Sequence, residues 1–348
     1  MAKQRDEPGK MQVPPPVGIA NVAQLAAIAG VSASTVSRAL AGNTAISTAT
    51  RQRITALADA HGYRINQQAR NLRLKRTEAI GVVLPLGHEI GQHLSDPFFI
   101  AMLGHLADAL ANRGHDLLLS RVIPTDDAWL ARILASGRTD GTIVIGQSNQ
   151  LETLERLALD APVVVWGANR PGQRHVSVGS DNRAGGRLAT EHLIAQGRRR
   201  LLFLGNTEAP ELAERQQGFA GACAAASLAG DSLPVKLTAD AAYVAIRDHL
   251  ARHPAPDGIV AASDIIAMMA IRALTEIGLR VPQDVAVVGY DDVALAAHTA
   301  PPLTTIRQDI ARGAAALVDL LFRKLAGEPV ESLVMAPELV VRASTAAV

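Results

Sequence analysis

The chain has 348 residues, 48% of them hydrophobic but only 3% aromatic, with a single cysteine, Cys223. Its length predicts two or three domains. A single cysteine excludes an internal disulfide and a cysteine zinc cage, and the lack of disulfides is typical of cytoplasmic proteins. No stretch approaches the roughly 20 apolar residues that span a bilayer. The net charge of +1 hides an asymmetry, because residues 1–78 hold 11 Lys and Arg against 4 Asp and Glu. A basic module on an acidic body indicates a nucleic-acid-binding head.

The first residues, MAKQRDEPGKMQVPPPVG, are charged and proline-rich without an apolar run. They predict a disordered tail over 1–18 and no secretory signal. Three short helices then fit residues 21–62, with Asn21, Ser32 and Ser47 as N-caps. Two helices joined by a tight glycine turn, with a third in support, indicate a helix-turn-helix head. A generic helical bundle is the alternative interpretation.

The second of these helices lies in the stretch AGVSASTVSRAL. Its hydroxyl side chains compete for backbone hydrogen bonds, which makes the segment a poor helix former. Small hydroxyls do, however, let a helix backbone come close to a duplex and bond to phosphates or base edges, while Arg38 reaches further. The next segment, YRINQQARNLRLKRT, is polar and basic. It fits a short helix over about 67–72, capped by Asn66, that needs a partner to become ordered.

From Ala79 onward, short apolar runs alternate with amphipathic segments. This alternation predicts parallel sheets in α/β layers. Two such runs, about 79–178 and 179–306, predict two similarly built subdomains with a cleft between them. Ligands of such sheets bind beyond the carboxyl ends of the strands.

The sequence offers little for catalysis, so we predict no enzymatic activity, no cofactor and no metal. HEIGQH places its histidines at i and i+5, which does not bring both to one helix face. No nucleophile elbow, P-loop or dinucleotide fingerprint occurs. Asp291 and Asp292 favour a binding or structural role over acid–base work.

The predicted strand ends do carry polar and aromatic side chains. Carboxylates and an arginine bind vicinal hydroxyls, and aromatic faces cover the apolar face of a sugar ring, so this mixture suits a neutral polyol better than a phosphate. Fold support is the alternative role for each single residue. The candidate effector-binding residues are Asp96, Phe98, Phe99, Arg121, Gln147, Trp166, Arg215, Ser263, Asp291 and Gln308.

The chain resembles LacI/GalR-type bacterial transcriptional repressors from Asn21 to its end. The resemblance rests on NVAQLAAIAGVSASTVSRAL, ISTATRQRITALADAHGYR, SDPFF, DGTIVIG, VGSDNRAGGRLATEHLIAQGRRRLLFLG, RQQGF, ASDIIAMMAIRAL, VPQDVAVVGYDD and PPLTTIRQ, in this order. It implies an α/β fold in which a helix-turn-helix head and a hinge helix precede a periplasmic-binding-protein-like core of two Rossmann-like parallel-sheet subdomains. The implied bounds are 19–64 for the head, 65–78 for the hinge and 79–348 for the core. Within the core, the N-subdomain comprises about 79–178 plus 308–336, and the C-subdomain comprises about 179–307 plus 337–348.

In this family the second helix enters the major groove and the hinge helix enters the minor groove, where a leucine wedge opens the central step. Carried onto this chain, Ala33 and Ser34 set base choice and Leu72 is the wedge. One departure is Ile65, where the family usually has proline before the hinge Asn. The candidate DNA-binding residues are Asn21, Ser32, Ala33, Ser34, Thr35, Ser37, Arg38, Ser47, Arg51, Asn66, Ala69 and Leu72.

In similar proteins the equivalents of Arg215 and Asp291 hold the effector. Relatives tend to have Asn where this chain has Ser263. The strand that often ends in an Asp ligand reads VVVWGANR here, and the resemblance implies that Trp166 replaces that contact by stacking. The resemblance predicts a cytoplasmic homodimer, nucleoid-associated when bound to a palindromic operator. We expect a repressor of carbohydrate-utilisation genes that is released by a mono- or disaccharide.

Maltose-like sugars, sucrose and β-glycosides all fit these residues. The alternatives are a regulator of the same fold with a co-repressor or purine-type effector, a sugar-binding transport component, and an enzyme with an appended DNA-binding head.

Overall fold

A computed structural model describes residues 21–63, 76–87, 91–157 and 161–345. The chain divides into two compact units, 1–76 and 77–348. Three predicted features therefore lie outside the described residues: the N-terminal tail, the hinge helix, and the first three residues of HEIGQH.

The first unit contains three helices, α1 (Val22–Ala29), α2 (Ala33–Leu40) and α3 (Thr48–Ala60). They enclose a small apolar core in which Leu25, Val36 and Ile54 are fully buried. Gly30 ends α1 in the left-handed region (φ 63°), a conformation that costs glycine little. The three-helix arrangement predicted from the sequence is confirmed. Ala39 is buried, and the half-buried Leu40 packs against the same core.

The second unit alternates strands and helices along the chain. Its strands are β1 (Ala79–Pro85), β2 (Asp116–Val122), β3 (Gly141–Ile145), β4 (Val163–Trp166), β5 (Ser177–Ser180), β6 (Leu201–Leu204), β7 (Gly230–Leu233), β8 (Gly258–Ala261), β9 (Ala286–Asp291), β10 (Thr304–Arg307), β11 (Leu333–Met335) and β12 (Glu338–Val340). Its helices are α4 (Pro97–Ala111), α5 (Trp129–Ala135), α6 (Leu151–Leu157), α7 (Asn182–Ala195), α8 (Pro210–Ala225), α9 (Ala239–Leu250), α10 (Asp264–Glu276) and α11 (Ile310–Leu325), with a 3-10 helix at Ala294–His298.

These strands form two six-stranded sheets, with the orders β11-β5-β4-β3-β1-β2 and β12-β10-β9-β8-β6-β7. We call the first sheet and its helices α4–α6 and α11 the first lobe, and the second sheet with α7–α10 the second lobe. The first sheet is parallel throughout, and in the second only β12 pairs antiparallel, with β10. The central strands are buried on both faces, which is the reason for their continuous Val and Ile runs. The predicted α/β class with two parallel sheets is confirmed.

The chain passes between the lobes three times: from β5 into α7, from β10 into α11, and from β11 into β12. Helix α11 packs its apolar face on the first sheet, with Leu317 and Leu321 fully buried. Because the strands of each sheet run parallel, their carboxyl ends gather at one edge, and these edges face each other across the connections.

Several short elements carry no pattern that predicts them from the sequence. Strand β7 (GDSL) has three exposed residues, so it lacks the apolar run that marks a buried strand. Strands β11 and β12 have three residues each, which is too short for any periodicity to show.

Candidate functional site

The carboxyl ends of both sheets line a cleft between the lobes. It encloses about 810 Å³, its open mouth included, within the roughly 300–1,000 Å³ of ordinary small-molecule sites. Most of the predicted effector residues meet here, although they come from six different elements and loops. Those that line it are Asp96, Phe98, Phe99, Trp166, Arg215, Ser263, Asp291 and Gln308.

Asp96 begins the first-lobe wall as the N-cap of α4. One carboxylate oxygen accepts the N–H of Phe98 at 2.9 Å, and the other accepts the side-chain amide of Gln92 at 3.2 Å. An Asp N-cap followed by proline is a strong helix start, so the SDPFF sequence fixes this carboxylate locally. Burial raises the pKa of Asp96, although these hydrogen bonds oppose the rise.

Arg215, on α8, is the one cation among the described residues that line the cleft. Its Nε donates to Asn182 Oδ1 at 2.9 Å, and its Nη1 donates to the Ala262 carbonyl at 2.6 Å. The guanidinium lies 3.7 Å above the centre of the Tyr290 ring, and its Nη1 is 3.7 Å from Asp291 Oδ1. Protein partners thus satisfy much of its hydrogen-bonding capacity and hold its plane rigid.

Asp291 ends β9 with φ at 116°, a backbone conformation that non-glycine residues rarely adopt. Its carboxylate accepts the Gln308 side-chain amide at 2.6 Å. Burial raises the pKa of Asp291 to about 7, helped by the nearby Asp96 charge and opposed by Arg215. The site therefore holds a strained, buried carboxyl that titrates near neutral pH and can accept or donate a hydrogen bond.

Ser263 and Asp264 follow β8 and open α10. Ser263 caps the helix by accepting the N–H of Ile266 at 3.4 Å. The Asp264 carboxylate accepts the Val293 N–H at 2.9 Å and the Thr305 hydroxyl at 2.5 Å. Asp264 is 1% exposed, and burial with Asp291 close by raises its pKa well above the ordinary value. It supports the loop beyond β9, whereas Ser263 offers a small polar group to the cleft.

Three aromatic side chains lie in the apolar part of the first-lobe wall. The Phe98 ring lies 5.7 Å from that of Phe99, edge to face, and 6.1 Å from that of Trp166. Phe98 is half-buried, whereas Trp166 is only 4% exposed and belongs to the first-lobe core. A ligand ring therefore meets mainly the face of Phe98, and Trp166 supports Phe98 from within the lobe.

Two predicted effector residues do not line the cleft. Arg121 is exposed, and its Nη2 lies 3.4 Å from the Gln92 carbonyl. It lies outside the cleft because it is near the end of β2, which is an edge strand. Gln147 is fully buried, and its side-chain amide donates to the Ala168 carbonyl at 2.7 Å.

Ser148 and Glu211 also line the cleft. Ser148 follows β3 with Gln147, so the strand-end pattern includes it, and it adopts a left-handed conformation (φ 51°); Glu211 was not predicted. Glu211 lies one helical turn before Arg215 on α8, and that i, i+4 spacing is the signal that could have revealed it.

The head presents α2 as its candidate DNA-binding surface. Ala33, Ser34 and Arg38 are exposed, while Val36 and Ala39 pack into the core. Ser37 and Thr35 are half-buried beside them. The small outer side chains leave the backbone of α2 accessible, as a helix that enters a groove requires.

Four other predicted DNA-binding residues make hydrogen bonds within the head. Asn21, Ser32 and Ser47 cap the three helices by accepting backbone N–H groups at 3.0, 3.1 and 3.3 Å. Arg51 donates to the Gly42 carbonyl at 3.1 Å and so ties α3 to the turn after α2. The predicted hinge contacts lie outside the described residues, namely Asn66, Ala69 and Leu72.

The two units define a class of protein: a DNA-binding head of helix-turn-helix type joined to a two-lobed, ligand-binding core. Comparison with known families agrees. The family of bacterial regulatory proteins, lacI family, matches residues 19–66, and the periplasmic binding protein-like domain matches residues 190–345.

Several regulators are similar over nearly the whole chain. The transcriptional regulator CelR of Thermobifida fusca is 34% identical over 92% of this chain and 96% of its own. MalR of Streptomyces coelicolor is 32% identical over 93% and 96%, and the repressor PurR of Photobacterium profundum is 29% identical over 94% and 98%. The chain therefore belongs to the lacI family of bacterial transcription regulators.

Two solved structures share this architecture. A CelR–cellobiose complex is 31% identical with a TM-score of 0.68, covering 93% of this chain and 99% of that one. The lac repressor dimer bound to operator and an anti-inducer is 25% identical with a TM-score of 0.82, covering 94% and 99%. Among the described residues, no helix is long and apolar enough to cross a bilayer, and no three His, Cys, Asp or Glu side chains group as metal ligands would.

Proposed function

We propose that this regulator represses carbohydrate-utilisation genes and leaves its operator when a mono- or disaccharide binds between the lobes. The observation that carries the proposal is the composition of the cleft. Phe98 provides an apolar face on one side, while Asp96, Asp291 and Gln308 place hydroxyl-binding groups around it. This is the combination that a sugar ring requires, with one apolar face and a rim of hydroxyls.

The charge of the cleft argues against a phosphorylated or otherwise anionic effector. Arg215 is the one cation among the described residues of the lining, and it already faces Asp291 and the Ala262 carbonyl. A phosphate would need further cations. An unphosphorylated carbohydrate instead finds carboxyl groups that accept, or when protonated donate, hydrogen bonds. The complex of CelR with cellobiose supports the same class of effector.

The working form we propose is a homodimer on a palindromic operator in the cytoplasm, without catalytic activity. The lac repressor dimer on its operator supports the assembly. In the head, Arg38, Ser34 and Thr35 contact the major groove. The small side chain of Ala33 lets the backbone of α2 come close to the DNA. Effector and operator binding then oppose each other by an equal coupling free energy, ordinarily about 1–3 kcal/mol in such switches.

A thermal-shift screen of the full chain tests the effector class. Cellobiose, maltose, sucrose and glucose are compared with hypoxanthine, guanine and glucose 6-phosphate at matched concentrations. We expect at least one neutral sugar to stabilise the protein, and we expect glucose 6-phosphate not to stabilise it. Stabilisation by a purine alone would indicate a purine-type effector instead of a carbohydrate. Asp291→Asn is the control variant, and stabilisation that it retains in full would indicate binding outside the cleft.

A further inference from the structure

Glu211 reaches from one lobe to the other. It lies in the first turn of α8, in the second lobe, and its Oε1 accepts the N–H of Gln147 at 3.3 Å. Gln147 follows β3 in the first lobe. The backbone N–H of Ala168, beyond β4, also faces this carboxylate and lowers its pKa, which burial raises. One side chain of the second lobe therefore meets two main-chain amides at neighbouring strand ends of the first lobe.

The two amides are fixed in place by first-lobe contacts. The Gln147 side chain donates to the carbonyl of Ala168 at 2.7 Å and lies 3.1 Å from the ring of His175. His175 is 2% exposed, and its other ring nitrogen lies 2.8 Å from Glu155. This chain of contacts holds the peptide groups at both strand ends, so the amides form a prepared receptor for a carboxylate.

Gly167 leaves room for the carboxylate. A β-carbon built at this position would lie 2.8 Å from Glu211 Oε1, and 2.6 Å from the Cγ of Gln147. Both distances are shorter than van der Waals contact allows. The residue between Trp166 and Ala168 is therefore small where the side chain from the opposite lobe arrives.

We propose that Glu211 is a clasp across the cleft: it positions the effector-facing wall of the first lobe and holds the lobes in the arrangement described here. The clasp lies beside the effector site, because Glu211 itself, Ser148 and Trp166 all line the cleft. Ser148 directly follows one clasped amide, and Trp166 lies two residues before the other. Opening of the lobes has to separate the carboxylate from these amides and hydrate it. Glu211 is thus a positioning residue for the effector response, a role that rests in part on the proposed function.

Amide hydrogen exchange, resolved to single residues in the full-length protein, tests the clasp without any effector or operator. We expect the amides of Gln147 and Ala168 to exchange at least tenfold faster in Glu211→Ala than in the wild type. The amide of Gly146, which donates to the Trp166 carbonyl at 2.9 Å, is the internal control and should not change. Glu214→Ala, one turn along the same helix, is the matched control variant.

Two further variants separate the effect of the side-chain length of Glu211 from the effect of its charge. Glu211→Gln keeps the length and an acceptor oxygen, so it should keep both amides protected. Glu211→Asp keeps the charge but is one methylene shorter, so it should lose protection. Fast exchange of both amides in the wild type would overturn the clasp, and so would slow exchange of both in Glu211→Ala with the Gly146 control intact.

A second experiment tests the effect of Glu211 on the effector response. The change in tryptophan fluorescence measures binding of the sugar that the thermal-shift screen identifies. Glu211→Ala should alter the dissociation constant at least fivefold, and Glu211→Gln should restore it to within twofold of the wild type. An unaltered constant in Glu211→Ala would overturn the positioning role. If no sugar binds, the proposed function fails while the exchange result still decides whether the clasp exists.

Discussion

Replacing Asp291 by asparagine should stabilise the core increasingly as the pH rises. Burial raises the pKa of Asp291 from its ordinary 3.8 to about 7, so the folded protein keeps a proton that the unfolded chain releases from about pH 4 upward. A raised carboxyl pKa gives stability that is fully present below the unfolded value and is lost as the pH rises through the folded one. Asparagine keeps the acceptor for Gln308 and tolerates the left-handed backbone, so this variant isolates the charge.

The size of the effect follows from the pKa values. A rise of about 3 units at about 1.4 kcal/mol per unit amounts to about 4 kcal/mol. We therefore expect the free energy of unfolding of Asp291→Asn, minus that of the wild type, to grow by about 4 kcal/mol from pH 4 to pH 8. Most of the increase should fall between pH 4 and 7.

Urea unfolding followed by tryptophan fluorescence measures this difference, because both tryptophans, Trp129 and Trp166, lie in the core unit. The matched control is Asp284→Asn. Asp284 is half-buried and bonded to Arg280 at 2.8 Å, which holds its pKa below the ordinary value. A lowered carboxyl pKa changes stability only below the unfolded value of about 3.8, so the difference for Asp284→Asn should be nearly constant between pH 4 and 8. A difference for Asp291→Asn that is constant between pH 4 and 8 would mean that the Asp291 carboxyl does not keep its proton in the folded core.

Three further predictions concern the head and the cleft wall. Arg38→Ala should weaken specific operator binding at least tenfold, as judged by fluorescence anisotropy, while Arg138→Ala, an exposed arginine of the core, should not. Ser32→Ala should destabilise the head by about 1 kcal/mol through loss of its cap, measured by amide exchange in α2, whereas Ser34→Ala should leave stability unchanged and weaken DNA binding. Phe98→Ala should weaken carbohydrate binding at least tenfold in calorimetry by removing the stacking face, with little change in operator affinity.

Each of these has a result that contradicts it. Specific binding that survives in Arg38→Ala would mean that α2 does not read the operator. Equal stability of the two serine variants would remove the cap as the role of Ser32. Unchanged sugar affinity in Phe98→Ala would shift the stacking role to Trp166.

Helices with caps and strands with long apolar runs were predictable from the sequence because their signals are local. Asn21, Ser32 and Ser47 each precede an apolar stripe, and each caps a helix in the structure. The strand-end rule likewise brought Asp96, Arg215 and Asp291 to one cleft from distant parts of the chain.

The sequence failed where a side chain's direction depends on tertiary packing. Gln147 lies at a strand end, as the rule requires, but its amide turns back to the Ala168 carbonyl and leaves Ser148 to face the cleft. Trp166 reads as a stacking platform, yet it is almost wholly inside the first-lobe core. Glu211 is marked in the sequence only by its i, i+4 spacing to Arg215, because its partners across the cleft are main-chain amides, which carry no signature of their own.

A carbohydrate between the lobes should govern operator binding. Fluorescence anisotropy of the full-length protein on a palindromic duplex selected from a random library, titrated with the sugar that gives the largest thermal shift, measures this coupling. We expect saturating sugar to weaken operator binding at least fivefold, and the duplex to weaken sugar binding by the same factor. Operator affinity that is unchanged, or that increases, at saturating sugar would contradict this expectation.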